Sequence, residues 1–563
     1  MSEDPQELRS INWAECFGFS NIFRTFRLAI HPAKLILALG IVVATCLIGV
    51  LMDAATKGSA GVIPNEIHAF HRHRNTFDTW HKGQARAEAT ELAELMHSEL
   101  KSSQKPDDLV KQAEGDRPQL LLTAGDKLDA LFKDRLTESG QIESAGDEFK
   151  EMPEDERRAL VNERIAQARK EYREIKDRLA GYRARGIFIE WIVYQKHYFN
   201  AMLKAAVTAD VFSGFDRIGK PSHDADVMSP LEDIGVLACL CMMGHGEAWM
   251  LSQHPLYALV FVILSLPIWA LLAGALCRIV ALHATRDERI SIAKGIKFSS
   301  EKFISFVFAP LIPMIVVLVI GLMLIIGGFV MNGWAVDILS GLFFFLALIG
   351  GAAIAFMLIG GTAGLALMWP TIAVEGSDSF DALSRSFTYV LQRPWKALFY
   401  SGIALIYGSA CTLFVRLFAF LMLTATHVFV GIGVYQDRPQ AGAELDKLDV
   451  MWQAPAFDAL RPVIMTDAVS GTERITAFLI QLWVYLIPTL VYAFIISFFF
   501  SAATVIYILL RREVDATDLN DVYLDEYADE DFQSDDGPSE SGKPDQSAPG
   551  GMVTPTIGQT NGK

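Results

Sequence analysis

The chain has 563 residues, of which 52% are hydrophobic, 11% aromatic and 20% charged, with a formal net charge of -16. The apolar residues fall into runs long enough to cross a bilayer, about 20 residues each, and this distribution excludes a soluble globular protein. The negative charge is local: from Glu513 to Lys563 there are 13 Asp/Glu against 2 Lys.

The arm 1–33 reads as amphipathic, with Phe19, Ile22, Phe23, Phe26 and Ile30 on its apolar face. The first span is predicted at 34–52. It follows a long polar arm and has no small-residue cleavage motif, so it reads as a signal anchor. Residues 53–255 form a charged insert, larger than a typical domain of roughly 100–200 residues. Five more spans follow within 256–510, near 257–277, 304–331, 338–369, 397–424 and 478–510, interrupted by a loop at 425–475. The tail 511–563 ends in Ser, Gly, Pro and Gln and is expected to be disordered and acidic. Six cysteines are spread through the chain without a disulfide framework; those in or beside spans read as small hydrophobes.

Lys and Arg beside the spans set the orientation. Arg24, Arg27 and Lys34, then Arg278 to Lys302, then Arg385, Arg393 and Lys396, then Arg511 and Arg512 all fall on one side if there are six spans. That places both termini in the cytoplasm of a multi-pass protein of the bacterial plasma (inner) membrane, with 53–255 and 425–475 outside. Residues 187–212 are apolar but contain Glu190, Lys196, His197, Lys204 and Asp210, costly at mid-bilayer, so they read as a packed or interfacial helix. Residues 234–251 read as a short apolar helix, interfacial or re-entrant.

Within the insert, Val161, Ile165, Ala168, Tyr172, Ile175, Leu179 and Tyr182 alternate at spacings of four and three, and the pattern runs on through 161–193. This is a coiled-coil seam with charged residues between its apolar positions, opened by Pro153 and three acidic residues at a helix N-terminus. A partner helix is required, either 85–101 or 120–136 in an intramolecular antiparallel hairpin, or a partner protein or second copy meeting 153–213.

Between the fourth and fifth spans, 377–392 forms an amphipathic surface helix. Phe380, Leu383, Phe387, Val390 and Leu391 share one face, Ser377 or Asp378 caps it, and Pro394 stops it. The arm 19–34 and the loop 287–302 repeat this design more loosely, so each copy precedes an outward-running span. Pro370, Glu375, Gly376, Ala382, Leu383, Arg385, Ser386 and Phe387 carry a short motif that resembles the membrane-domain superfamily of the glycerophosphoryl diester phosphodiesterase membrane domain and YciC-like proteins. The resemblance covers about 250–510 and implies a multi-span helical fold and envelope maintenance. No phosphodiesterase domain accompanies it, so it implies no catalytic residue.

Arg416 lies in the fifth span, where an intramembrane charge is a functional candidate, although it could also snorkel to the outer interface. His68, His71 and His73 with Asp78 and His81, and separately His245, Glu247 and His254, are loose clusters that read as solvated or interfacial groups. No metal, cofactor, catalytic or nucleic-acid motif stands out. The fold expected is all-α and polytopic, with the bilayer as its first partner. The function expected is non-enzymatic scaffolding or partner recruitment through the coiled-coil insert; the alternative is a transporter or channel-like route among the repeated helix pairs.

Overall fold

Every long apolar run becomes a helix, because a backbone inside hydrocarbon must satisfy its own hydrogen bonds. The computed structural model describes residues 18–56, 62–73, 76–102, 104–144, most of 163–182, 185–218, 233–331, 341–434, 447–457, 460 and 471–524. A 3-10 turn, Gly18–Arg24, leads into α1 (Thr25–Ala29) and the first candidate span α2 (Pro32–Thr56). The insert holds α3 (Glu66–Arg72), α4 (Phe77–Ser98), α5 (Pro106–Gly115), α6 (Arg117–Ser144), α7 (Ile187–Val207) and α8 (Val236–Gln253). Then come α9 (Pro255–Arg286), α10 (Ile292–Glu301), α11 (Phe303–Val330), α12 (Phe344–Glu375), α13 (Ser379–Gln392), α14 (Pro394–Ile432), α15 (Lys447–Met451) and α16 (Thr472–Asp515).

Six of these, α2, α9, α11, α12, α14 and α16, contain segments long and apolar enough to cross a membrane. Among the described residues there is no strand, only an isolated bridge between Val62 and Arg185. The protein is therefore an all-α, polytopic membrane protein. Leu318, Met323 and Phe329 of α11, Ile359 of α12 and Phe418 and Phe429 of α14 are largely exposed, a surface that hydrocarbon covers at no cost. From Phe344 onward the fourth apolar run lies in one helix, α12, with Pro370 inside it. The five described cysteines are free.

Two polar contacts mark the ends of the α2/α9 pair. At one end Lys34 Nζ lies 3.0 Å from His283 Nδ1. At the other, the Tyr257 hydroxyl donates to Asp53 Oδ1 at 2.8 Å. Lys34 and Asp53 are roughly 28 Å apart along a helix rising 1.5 Å per residue, close to the thickness of a hydrocarbon core. Asp53 also fixes the insert: its two oxygens accept the Phe188 and Ile189 backbone N–H groups at 3.0 and 3.1 Å, capping α7 from another helix. Gly49 and Gly186 make this contact possible, since a Cβ on the first would enter the Phe188 ring and on the second the Asp53 carboxylate.

The rest of the insert has its own core. Leu92, Met96, Leu109, Leu120 and Leu128 bury together with Tyr172 and Leu179, and Ile175 and Tyr182 pack against them. Ala168 is also buried. Arg178 pairs with Glu99 and the Tyr182 hydroxyl donates to Glu91, so the described part of the seam runs antiparallel to α4. Its apolar residues thus meet helices of the same chain. Val161, Ile165 and Pro153 lie outside the described residues.

The amphipathic connector forms as α13, with Asp378 as the capping residue: its carboxylate accepts the Asp381 N–H at 2.9 Å. The loop 287–302 yields α10, capped by Ser291. The N-terminal arm departs from a single surface helix. Its described part, from Gly18, is a 3-10 turn followed by five α-helical residues, packed against α14 and α16 through Phe23–Tyr407 and Phe26–Phe494 ring contacts. Residues 522–524, the described start of a second unit, carry no regular structure.

Candidate functional site

A cavity of about 740 Å³ is walled by six elements: α7, α8, α12, α13, α14 and α16. Along α14 it extends from Pro394 to Thr412, about 27 Å of helix. Gly408 permits this geometry, since a Cβ there would press on the Phe498 ring of α16. Phe199 and Met202 of α7 and Leu240 and Met243 of α8 close the wall from the insert. Three of the lining hydroxyls are turned back on their own helix: Thr362 donates to the Leu358 carbonyl at 2.9 Å, and Ser409 to the Leu405 and Thr412 to the Gly408 carbonyl, both at 2.8 Å. No ionisable side chain lines the cavity. It can hold an apolar molecule. The size lies within the range of small-molecule sites, roughly 300–1,000 Å³.

The connector motif assembles a polar staple at the end of α12. Gly376 takes a positive φ of 65° and its N–H bonds to the Ile372 carbonyl, ending the helix in the left-handed manner that favours glycine. Glu375 then pairs with Arg385 at 2.7 Å and with Arg511 of α16 at 3.2 Å, and accepts from the Tyr507 hydroxyl. Arg385 also holds Asp381 at 2.9 Å. Ser386 Oγ lies 3.2 Å from Thr371 Oγ1, Ala382 is fully buried, and Leu383 and Phe387 pack on the same core. A Cβ on Gly360 would meet the Phe387 ring. Pro370 is buried within α12. The motif residues therefore seat α13 between α12 and α16. Of the two residues that complete the staple, Tyr507 was not singled out from sequence, and Arg511 was read only as half of the basic pair closing the last span, not as a partner of Glu375.

The two histidine groups, 68–81 and 245–254, come together where α3, α7 and α8 meet. His71 and His245 rings stand 4.4 Å apart, and His68 Nδ1 lies 3.3 Å from the Tyr198 hydroxyl. Trp249 Nε1 donates to Glu66 at 3.2 Å, His81 approaches the same carboxylate at 3.5 Å, and Gln195 donates to Glu247 at 3.1 Å. Burial, followed by the charges of His197, Arg72 and His71, pushes His68 down to about 3. Burial, then His245 and Arg72, pushes His71 down to about 4. The hydrogen bond to Glu66 raises His81, and burial raises Glu247 to about 6. Among the described residues no group of three or more His, Cys, Asp or Glu is arranged to hold a metal ion. His73 and Asp78 lie beside the cluster without completing one.

Arg416 is half-buried and directed at a loop. Its Nε and Nη2 both donate to the Phe457 carbonyl, at 3.2 and 3.0 Å, and the guanidinium lies 5.1 Å from the Phe457 ring centre. It anchors Phe457, a few residues after α15, to α14. Comparison of the chain with family models, curated proteins and solved structures finds no match.

Proposed function

We propose that this chain is a non-enzymatic protein of the bacterial plasma membrane that holds a lipid acyl chain in the cavity between α14, α16 and the insert helices α7 and α8. The basic residues at the span ends support a cytoplasmic position for both termini. One observation carries the reading: a cavity of about 740 Å³ with no ionisable lining is walled jointly by spans and by the insert. Its occupant would therefore touch both the membrane helices and the domain outside, coupling them by contact. Hydrocarbon is the solvent around these spans, and acyl chains are the apolar molecules at highest concentration there. The connector's resemblance to multi-span membrane domains supports the same reading, since its residues serve packing.

The test is to purify the full chain in detergent, extract it with organic solvent and identify retained lipid by mass spectrometry. Retention of lipid, lost in Ala404→Trp with unchanged elution on size exclusion, supports the proposal. No retained lipid, or equal retention by the variant, overturns it. Ion or solute flux in liposomes would favour the transporter alternative instead. A second reading, partner recruitment through 153–213, is supported by Val207, Val211 and Phe212 at the end of α7, which are 51%, 40% and 72% exposed.

A further inference from the structure

A second cavity, about 270 Å³, lies on another side of α16 and has the opposite chemistry. Arg24 and Arg27 of the N-terminal arm and Arg286 at the end of α9 line it, facing one carboxylate, Asp287. Asp287 is itself 69% exposed and stands 3.8 Å from His283 Nε2. None of the three arginines makes an ion pair among the described residues, and all three side chains are exposed. Lys34 and Arg289 add positive charge nearby, and after burial they are what lowers His31.

The cations are held by firmly seated backbone. Thr25 donates to the Ile22 carbonyl at 2.5 Å, and Ser497 of α16 donates to the Ala29 carbonyl at 2.8 Å, fixing the arm on both sides of Arg27. Asp287, at φ 58°, ends α9 directly after Arg286. Beyond α16, Arg511 binds Asp521 through the Asp521 carbonyl at 2.7 Å and a carboxylate oxygen at 3.0 Å, which folds 516–521 back and sets Leu519 and Asn520 at the cavity edge. The inner wall is apolar: Leu28, Val505, Ile508 and Leu509.

We propose that this cavity binds the phosphate group of an anionic phospholipid, with Arg24, Arg27 and Arg286 as its ligands. Three arginines lining a space of this size suit a phosphodiester, which accepts paired N–H donors. Basic pockets at the ends of spans are suited to anionic head groups. The apolar wall of Leu28 and α16 favours a lipid over free phosphate, because it gives the attached glycerol and chain ends a surface that a bare ion would leave wet. This site is independent of the acyl-chain cavity: it shares only α16 with it, through different residues.

The experiment is native mass spectrometry of the full chain in neutral detergent, titrated with phosphatidylglycerol and with phosphatidylcholine. The wild type should prefer phosphatidylglycerol, and the triple variant Arg24→Gln, Arg27→Gln, Arg286→Gln should weaken it by about 100-fold, on the scale of three cations near a membrane surface. Arg393→Gln, an exposed cation outside the cavity, should leave the preference unchanged. Size exclusion and thermal unfolding check that the triple variant is folded; if it is not, the single variants Arg24→Gln and Arg286→Gln are read in its place. Equal binding of the two lipids, an undiminished preference in the folded variants, or an equal loss in Arg393→Gln would overturn the proposal. Displacement of the lipid by inorganic phosphate at matching concentration would overturn the lipid assignment.

Discussion

Arg385 lies 2.7 Å from Glu375 across the turn that joins α12 to α13, and the same carboxylate is 3.2 Å from Arg511 of α16. The Glu375 side chain is only 7% exposed, so its charge depends on these partners and on the Tyr507 hydroxyl. Glu375→Gln keeps the shape and removes the charge. It should lower stability by about 2–3 kcal/mol, the scale of losing charge-assisted bonds at a buried site. Arg385→Lys should cost less, because Arg385 is 41% exposed. Thermal unfolding of the purified protein in detergent checks the order, and equal melting of Glu375→Gln and wild type would remove the staple as a stabilising element.

At the other end of the membrane helices, Asp53 holds α7 by two backbone N–H bonds and receives the Tyr257 hydroxyl. Asp53→Ala takes the acceptor from the Phe188 and Ile189 N–H groups and leaves the Tyr257 hydroxyl only the Gly49 carbonyl at 3.4 Å, a loss of about 1–3 kcal/mol by the usual scale for caps and unsatisfied donors. Gly186→Ala should act on the same contact by a different route, pushing a Cβ into the carboxylate. Both should increase protease cleavage between α3 and α8 while leaving α11 to α13 folded. Gly83→Ala, where a Cβ would meet nothing, serves as the neutral control.

The histidine cluster gives the junction of insert and membrane helices a pH dependence of definite sign. His68 and His71 have folded values near 3 and 4, below the ordinary 6.5. Their contribution is fully present above pH 6.5 and is lost as the pH falls from there towards 4, because the unfolded chain takes up protons that the folded chain refuses. Glu247, raised to about 6, acts in the opposite sense, gaining relative stability as the pH falls from 6 to 4.5. His81, raised by Glu66, does the same above 6.5. Two histidines outweigh one carboxylate between 6.5 and 4.5, so acid should weaken the junction. The loss should be smaller in His68→Gln, measured as the melting temperature against pH; a junction equally stable at pH 7 and 5 would contradict the assignment.

Much of this fold is legible in the sequence because its signals are local. A run of about 20 apolar residues must cross or be buried, and the period of Phe380, Leu383 and Phe387 marks a one-sided helix that α13 confirms. Glu375 and Arg385 are close in sequence and meet in space. What escapes is contact between distant segments. Nothing near Asp53 indicates that it caps a helix beginning at Ile187. The partner of Arg416 is a carbonyl at Phe457, and a carbonyl belongs to every residue, so it leaves no trace in composition. The apolar cavity is drawn from six elements between Phe199 and Leu510, and none of the residues lining it belongs to a motif. The histidines were legible as two groups, and their union required α3 and α8 to share a face with α7.

The seam provides the sharpest separation between insert and membrane domain. Leu179 is 8% exposed within the core formed with Leu92, Met96 and Leu128, and that core shares no residue with the clusters that hold α7 to α9 or α9 to α16. Leu179→Ala should therefore cost about 2–4 kcal/mol, the usual range for such a truncation in a packed core, and the cost should fall on the helices between Phe77 and Tyr182. Leu122→Ala, at a position 62% exposed on α6, should cost little. Limited proteolysis should show faster cleavage of 77–182 in Leu179→Ala, with lipid retention in the membrane cavity unchanged, because residues on separate cores couple weakly. If lipid retention fell along with protease resistance, the bundle would be energetically joined to the cavity wall, and α7 would be the element carrying that coupling, since it follows the seam directly and lines the cavity through Phe199 and Met202.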